Sequence, residues 1–529
     1  MKPMLPFKNC VLIALLFLGM APAATAQTWD DVQNLLWNEQ NDKAKETLKA
    51  LVAGNPADAE LNYRMGNLLY SEGKKDSARI YYNKGIKPED KVNYNFAGLG
   101  KLALDEGNTT AAIDYFNKLT VKDKTKDAKA FIFVGEAYLN ASKKQTDLAV
   151  TTFKKALVLD KNSIEAYLLL GDAYLASNNA GTAITNYEFA YEKHGKLAVA
   201  YNNIGKIYIT SRNYNEAREH FKKANEIDPA FIPVYRELAE LYHLAKQHEE
   251  AVKMMDQYLA LSGNNDLETQ SRYASFVFLA KDYPKTISLI EELMRKDNSN
   301  VIWSRLIGYS YYEQGKYPEG LAQLENFFAK VDTSKVIASD YTYYARLLSK
   351  TGKDSLAVDN FNKAILEGEP EPELYDELAV LLMTQKRYFE SAEAYKQKML
   401  VFGKSTSQDY FQIGRAYYYG ANYQGADSAF AKVNELQPTA AIGFLWRARV
   451  ASQLDPESTA GLALPHYEKF VELAVDATKY KKELIEANSY LGYYYFLKKD
   501  SAKAKTAWLK VKELDPANAK ADEFLKNAK

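Results

Sequence analysis

The stretch YNNIGKIYITSRNYNEAREHFKKANEIDP, Tyr201 to Pro229, decides the fold. Ile204 and Tyr208, then Ala217, Phe221 and Ala224, recur at three- and four-residue spacing, the period of an amphipathic helix rather than a strand. Between the two runs Ser211 to Tyr214 reads as a turn, and Pro229 stops the second helix because it lacks an N–H and restricts the residue before it. Gly205 and Ala217 put a small side chain on each helix, so two antiparallel backbones can approach closely. Phe221, one turn further on, fills the space beside that contact.

The same pattern runs through the chain. A small residue equivalent to Gly205 recurs at Gly66, Gly100, Gly135, Gly171, Ala239, Ala274, Gly308, Ala345, Ala379, Gly414, Ala448 and Gly492. A second small residue follows at Ala78, Ala112, Ala183, Ala251, Ala357 and Ala426, and a large one at Tyr82, Phe116, Tyr187, Met255, Phe361 and Phe430. Gly107, Gly315 and Gly352 fall just past first helices, where a left-handed residue caps them cheaply. Each helix pair leaves an apolar stripe that only the next pair can cover, so repetition at this period implies stacking. Two stretches break the period: Asn140 to Ala149, and LDPESTAGLALP at Leu454 to Pro465.

Tyr201, Ile204, Gly205, Tyr208, Tyr214, Ala217, Phe221, Ala224 and Pro229 together resemble one tetratricopeptide repeat, and Tyr410, Ile413, Gly414, Tyr417, Tyr423, Ala426, Phe430 and Pro438 resemble another. The resemblance implies an all-α fold, an α-solenoid superhelix of about fourteen antiparallel helix pairs. The expected division is residues 1–26 as a leader, 27–262 and 263–516 as two runs of repeats, and 517–529 as a polar-backed helix capping the stack.

The leader is read from MKPMLPFKNCVLIALLFLGMAPAATAQ: Lys2 and Lys8, an apolar run from Val11 to Met20 too short to span a bilayer, and Ala24-Thr25-Ala26 as a cleavage site. Cleavage near Ala26 makes the mature chain periplasmic or otherwise exported to the cell envelope. It removes Cys10, the only cysteine, and with it thiolate metal sites and disulfides. Lys+Arg and Asp+Glu both number 68, so no single-signed field draws the chain to nucleic acid. The charged run VKDKTKDAK, Val121 to Lys129, alternates in sign and reads as a wet loop.

No catalytic constellation is present in the sequence. The five histidines form no H-E-x-x-H, and Gly73-Lys74, Gly315-Lys316 and Gly352-Lys353 lack the earlier glycine of a phosphate loop. His243 and His248, five apart, would not share a face on one helix. A non-enzymatic protein is expected, without cofactor or metal. In the resembling family the first helix of each pair lines a concave groove, and its groove residues flank the small site. Carried over, these are Arg305, Tyr309 and Tyr312, then Tyr343 and Arg346, then Phe411, Arg415, Tyr418 and Tyr419, then Tyr490, Tyr493 and Phe496. Earlier units offer Asn202, Asn203 and Lys206, or Glu165, Leu168 and Asp172, a blander face. Tyr and Arg are the residue types that dominate binding hot spots. The resemblance therefore implies a protein-interaction scaffold of the bacterial cell envelope holding an extended peptide or a partner helix. No transmembrane helix is expected in the mature chain, which leaves association with an envelope membrane complex open. The alternative is a carbohydrate-binding accessory of polysaccharide export or cell-wall assembly, with stacked tyrosines against sugar faces.

Overall fold

The computed structural model describes residues 28–527 except 91–92, 121–125, 196, 265 and 369; the expected leader and most of the charged run at Val121 lie outside the described residues. Among the described residues there are 29 α-helices, numbered α1 to α29 in chain order, one short 3-10 helix at Thr333–Lys335 and no strand. Within each compact unit successive helices pack as consecutive pairs, the α-solenoid arrangement that the spacing predicts. The stretch from Tyr201 to Pro229 is occupied by α11 (Ala198–Thr210) and α12 (Tyr214–Ile227).

The small sites do what their spacing implies. A Cβ built on Gly205 would lie 2.4 Å from Cε1 of Phe221, a ring with no exposed surface. The same geometry pairs Gly66 with Tyr82, Gly100 with Phe116, Gly171 with Tyr187 and Gly414 with Phe430. Turns obey register more than residue type. Seven residues past the small site, the backbone is left-handed at Gly73, Gly107, Gly315 and Gly352, but equally at Asn178, Arg212, Lys246, Lys386, Ala421 and Lys499. There the closing of the hairpin imposes the conformation on side chains that disfavour it.

The contacts divide the chain into two compact units, one ending at Lys281 and one beginning at Asp282; the division expected at 262/263 lies one helix earlier. In the first unit α3 (Ala59–Ser71), α5 (Asn95–Asp105) and α7 (Ala128–Asn140) converge tightly. Tyr63 stacks on Phe133 at 4.4 Å, across α5, most of whose residues are buried. Gly98 and Gly100 of α5 leave room for the rings of Tyr82 and Phe116, which a Cβ at either place would meet at 2.3 Å.

In the second unit the irregular stretch after α25 (Ala441–Leu454) closes on Asp455. Its carboxylate accepts backbone N–H groups of Thr459, Ala460, Gly461 and Leu462 at 3.0, 3.3, 2.7 and 3.3 Å. Burial opposes the charge, but these donors outweigh it and hold the Asp455 carboxyl below its ordinary range. The last described helix, α29 (Ala519–Asn527), buries Ala521 and stacks Phe524 on Trp508 at 4.7 Å.

Candidate functional site

A register rule connects successive first helices. The residue one past the small site on one helix meets the residue two before it on the next. Tyr309 of α17 (Trp303–Glu313) stacks on Tyr343 of α19 (Ala338–Lys350) at 3.9 Å. Arg346 of α19 grips Glu377 of α21 (Pro372–Thr384) with two bonds of 2.8 and 2.7 Å. In the first unit the same positions are Glu240 and Arg272, with signs reversed, joined at 2.8 Å.

This ladder decides what five of the expected groove residues do. Arg305 is doubly bonded to the wholly buried Asp340 at 2.7 Å and also donates to the Lys335 carbonyl at 2.8 Å. The Tyr309 hydroxyl donates to the same carboxylate at 2.7 Å. Tyr343 donates to Glu313 at 2.8 Å, and Tyr312 meets its ring edge-on at 5.4 Å. Arg305, Tyr309, Tyr343 and Arg346 thus spend their polar groups on neighbouring repeats. Burial is the main force that raises the pKa of Tyr309 and Tyr343, with the nearby carboxylates adding to it.

On α23 (Ser407–Tyr419) the ladder breaks. Arg415 stands one past Gly414, and the position it should meet, two before Ala448, is Trp446. Arg415 bonds only to Gln412 of its own helix, at 3.1 Å; among the described residues no carboxylate lies within 4 Å of it. The acids on the preceding side are already taken. Lys398 of α22 (Tyr388–Phe402) sits 2.6 Å from both Asp376 and Asp409. Although burial works against its charge, Lys398 and Thr406 hold the Asp409 carboxyl below its usual range.

Around Arg415 the structure gathers Phe411 and Tyr418 on the same helical stripe with Trp446 of α25. Tyr418 meets the indole edge-on at 5.3 Å, Phe411 at 6.0 Å and Tyr419 at 6.2 Å. Tyr388 and Phe389, at the start of α22, extend the cluster through Tyr419 at 6.1 Å and Tyr417 at 6.3 Å. Tyr419 is 49% exposed and Phe389 59%, so the patch is open to solvent rather than closed like the pair Tyr309 and Tyr343. Sequence reading missed Trp446, Tyr388 and Phe389. Trp446 was findable, because it occupies the same position before its small site as Tyr343.

The last three expected residues lie apart from this cluster, Phe496 against Phe524 of α29 at 5.2 Å. Tyr490 of α27 (Lys481–Leu497) packs on Tyr467 at 4.8 Å, and Tyr493 meets Phe524 of α29 at 6.4 Å. His243 and His248 do come together, 5.7 Å between ring centres, because the turn between their helices folds them toward each other instead of one helix presenting both. Among the described residues no group of three or more His, Cys, Asp or Glu is arranged to hold a metal ion, and no helix is long and apolar enough to cross a membrane.

Tetratricopeptide repeat models match residues 32–91, 168–230 and 208–269. The C-terminal part of a tetratricopeptide repeat-containing protein from Cytophaga hutchinsonii is 35% identical, over 48% of this chain and 99% of its own, with a TM-score of 0.41. The chain belongs to the tetratricopeptide repeat family. It is also similar to a tetratricopeptide repeat protein from Parabacteroides merdae, 15% identical over 49% of this chain and all of that one, with a TM-score of 0.33. Among curated proteins, the CTR9 homolog of Arabidopsis thaliana is 26% identical over 151 residues, 27% of this chain; the chain spans only 13% of that relative's length. Tetratricopeptide repeat proteins generally act as protein-interaction scaffolds, and that coarse role follows for this chain.

Proposed function

We propose that the chain is an exported scaffold of the cell envelope whose second unit holds an extended segment of a partner protein across the Arg415 cluster. The observation that carries this reading is the broken ladder. Where Arg346 finds Glu377, the corresponding position ahead of Arg415 is Trp446 and offers no acid, and a half-buried guanidinium without a carboxylate is a charge awaiting one. A partner carboxylate bracketed by apolar side chains would satisfy Arg415 in two parallel bonds and cover Tyr418, Tyr419 and Phe389. Export is supported by the leader-like first 26 residues.

A photo-crosslinker at Tyr419 should capture one envelope protein in living cells, and a second at Tyr312 should capture it poorly. Arg415→Ala should weaken that complex at least tenfold, while Arg346→Ala should leave its affinity within about twofold. Equal effects of the two substitutions would remove the groove assignment. Glycan binding without peptide binding would replace it with the carbohydrate reading. Cell fractionation with N-terminal sequencing checks export: the mature chain should begin at Gln27.

A further inference from the structure

In a stacked solenoid each first helix touches the first helix of the next pair. α1 (Trp29–Trp37) does this and more: it meets α3 through Arg64 and ends against helices far along the chain. Trp29 lies under the Arg64 guanidinium at 4.3 Å. Trp37 packs against the buried cluster of Leu168, Leu197 and Ile204 and against the one around Phe231, Val234 and Leu238. Just past the helix, Asn38 Oδ1 accepts the Ile232 backbone N–H at 2.9 Å, at the start of α13 (Pro233–Leu244). Glu39 accepts from the Arg236 guanidinium and, at 3.0 Å, from the Tyr258 hydroxyl. The bland groove residues Glu165, Leu168, Asp172 and Asn203 border α1 rather than open solvent.

The fit is loose. Of its nine residues α1 fully buries only Val32, whereas α3 buries six. Clefts of about 370 and 770 Å³ flank it on either side. A helix this short has no stability of its own, so its persistence depends on the groove that receives it. We infer that α1 is a displaceable occupant, and that the first unit's groove accepts in its place a partner helix of the same chemistry: a tryptophan near the C-terminal end, followed by a carboxylate that reaches Arg236 and Tyr258. This site is separate from the Arg415 cluster and stands or falls without it.

The test uses the full chain and a fluorescent peptide of residues 27–41. Trp37→Ala with Glu39→Gln removes the two anchors of α1 and should raise the peptide's affinity at least tenfold over that of the unaltered chain. Adding Arg236→Ala should abolish the gain. Peptide binding that is absent from both chains, equal in both, or indifferent to Arg236 overturns the inference, and so does exchange of α1 between two copies to give a dimer. Amide hydrogen exchange on the unaltered chain gives a second reading that needs no variant. Residues 29–37 should exchange at least tenfold faster than those of α11, through local opening. Exchange of both helices in step would make α1 a permanent part of the stack and end the proposal.

Discussion

Arg236 in the first unit and Arg305 in the second stand at the same place, three residues before the small sites Ala239 and Gly308. Arg305 finds its carboxylate on the next first helix, in Asp340, whereas Arg236 finds Glu39, almost two hundred residues earlier in the chain, at the end of a helix lying across the groove. At this position the second unit is tied within the stack, and the first is tied to an occupant. A second contrast runs alongside. Asp340 is fully buried but answered by a cation, while Lys101 of α5, 3% exposed, bonds through Nζ to a neutral amide, Asn67 Oδ1 at 2.8 Å. One unit satisfies a buried charge with its counter-charge; the other leaves a buried charge partly uncompensated.

Breaking the most buried ion pair between successive first helices should give the largest effect. Arg305→Ala leaves the Asp340 carboxylate with only the Tyr309 hydroxyl and the Ile337 N–H as donors, at 2.7 and 2.9 Å. Stranding a buried charge costs about 3 to 5 kcal/mol. Solenoids fail locally, so the loss should appear as faster amide exchange in α17 and α19 together with a lower denaturant midpoint. An unchanged midpoint would mean that this ion pair does not hold the second unit together.

The next effect has the opposite sign. Burial pushes the Lys101 ammonium down to about 8, against partial support from Glu136 and Asp105. The folded value lies below the unfolded one, so keeping the charge is a cost that is fully present below about pH 8 and fades as pH rises through the unfolded value near 10.4. Lys101→Met keeps the volume and removes the charge, and Asn67 retains the Tyr82 hydroxyl at 2.7 Å. It should stabilise the first unit by about 2 kcal/mol at pH 7, with the gain shrinking toward pH 10. A gain that did not depend on pH would point to packing instead.

Arg346→Ala breaks a rung with more solvent around it: the two side chains are 25% and 36% exposed. Water and screening take up most of what the pair contributes, so the expected loss is about 1 kcal/mol, read from the same denaturant midpoint. A loss matching that of Arg305→Ala would show that the second unit's inner face is drier than its exposures imply.

The helix pairs were legible in the sequence because each depends on spacing within one hairpin: Gly205, Ala217 and Phe221 meet as their separation dictates. The turn position was legible too, through register, even where glycine was replaced by Arg212, Lys246 or Lys386. What each groove residue does was not. Arg305, Arg346 and Arg415 look alike along the chain, since each is an arginine beside a small site on a first helix. Their difference lies thirty or more residues ahead, in Asp340, Glu377 and Trp446, and becomes readable only once the pairing between successive first helices is known. The position of α1 was hidden for the same reason at longer range. Its spacing is that of any amphipathic first helix, and nothing local says that Asn38 and Glu39 will meet Ile232, Arg236 and Tyr258.

The smallest effect on stability is the one that sharpens the comparison most. Arg415 has no rung to lose: its one bond is to Gln412 on its own helix, and Lys398 already answers both Asp376 and Asp409. Arg415→Ala should therefore move the denaturant midpoint by no more than about 0.5 kcal/mol, in the range of an ordinary surface change. Phe411, Tyr418 and Trp446 hold one another edge to face without the guanidinium, so the cluster should keep its shape, and the near-ultraviolet circular dichroism of Trp446 and its tyrosines should be unaltered. A cost equal to that of Arg346→Ala would mean that Arg415 has a structural counterpart after all. The ladder would then run unbroken through α23, and the second unit would have no free cation at this place to offer a partner.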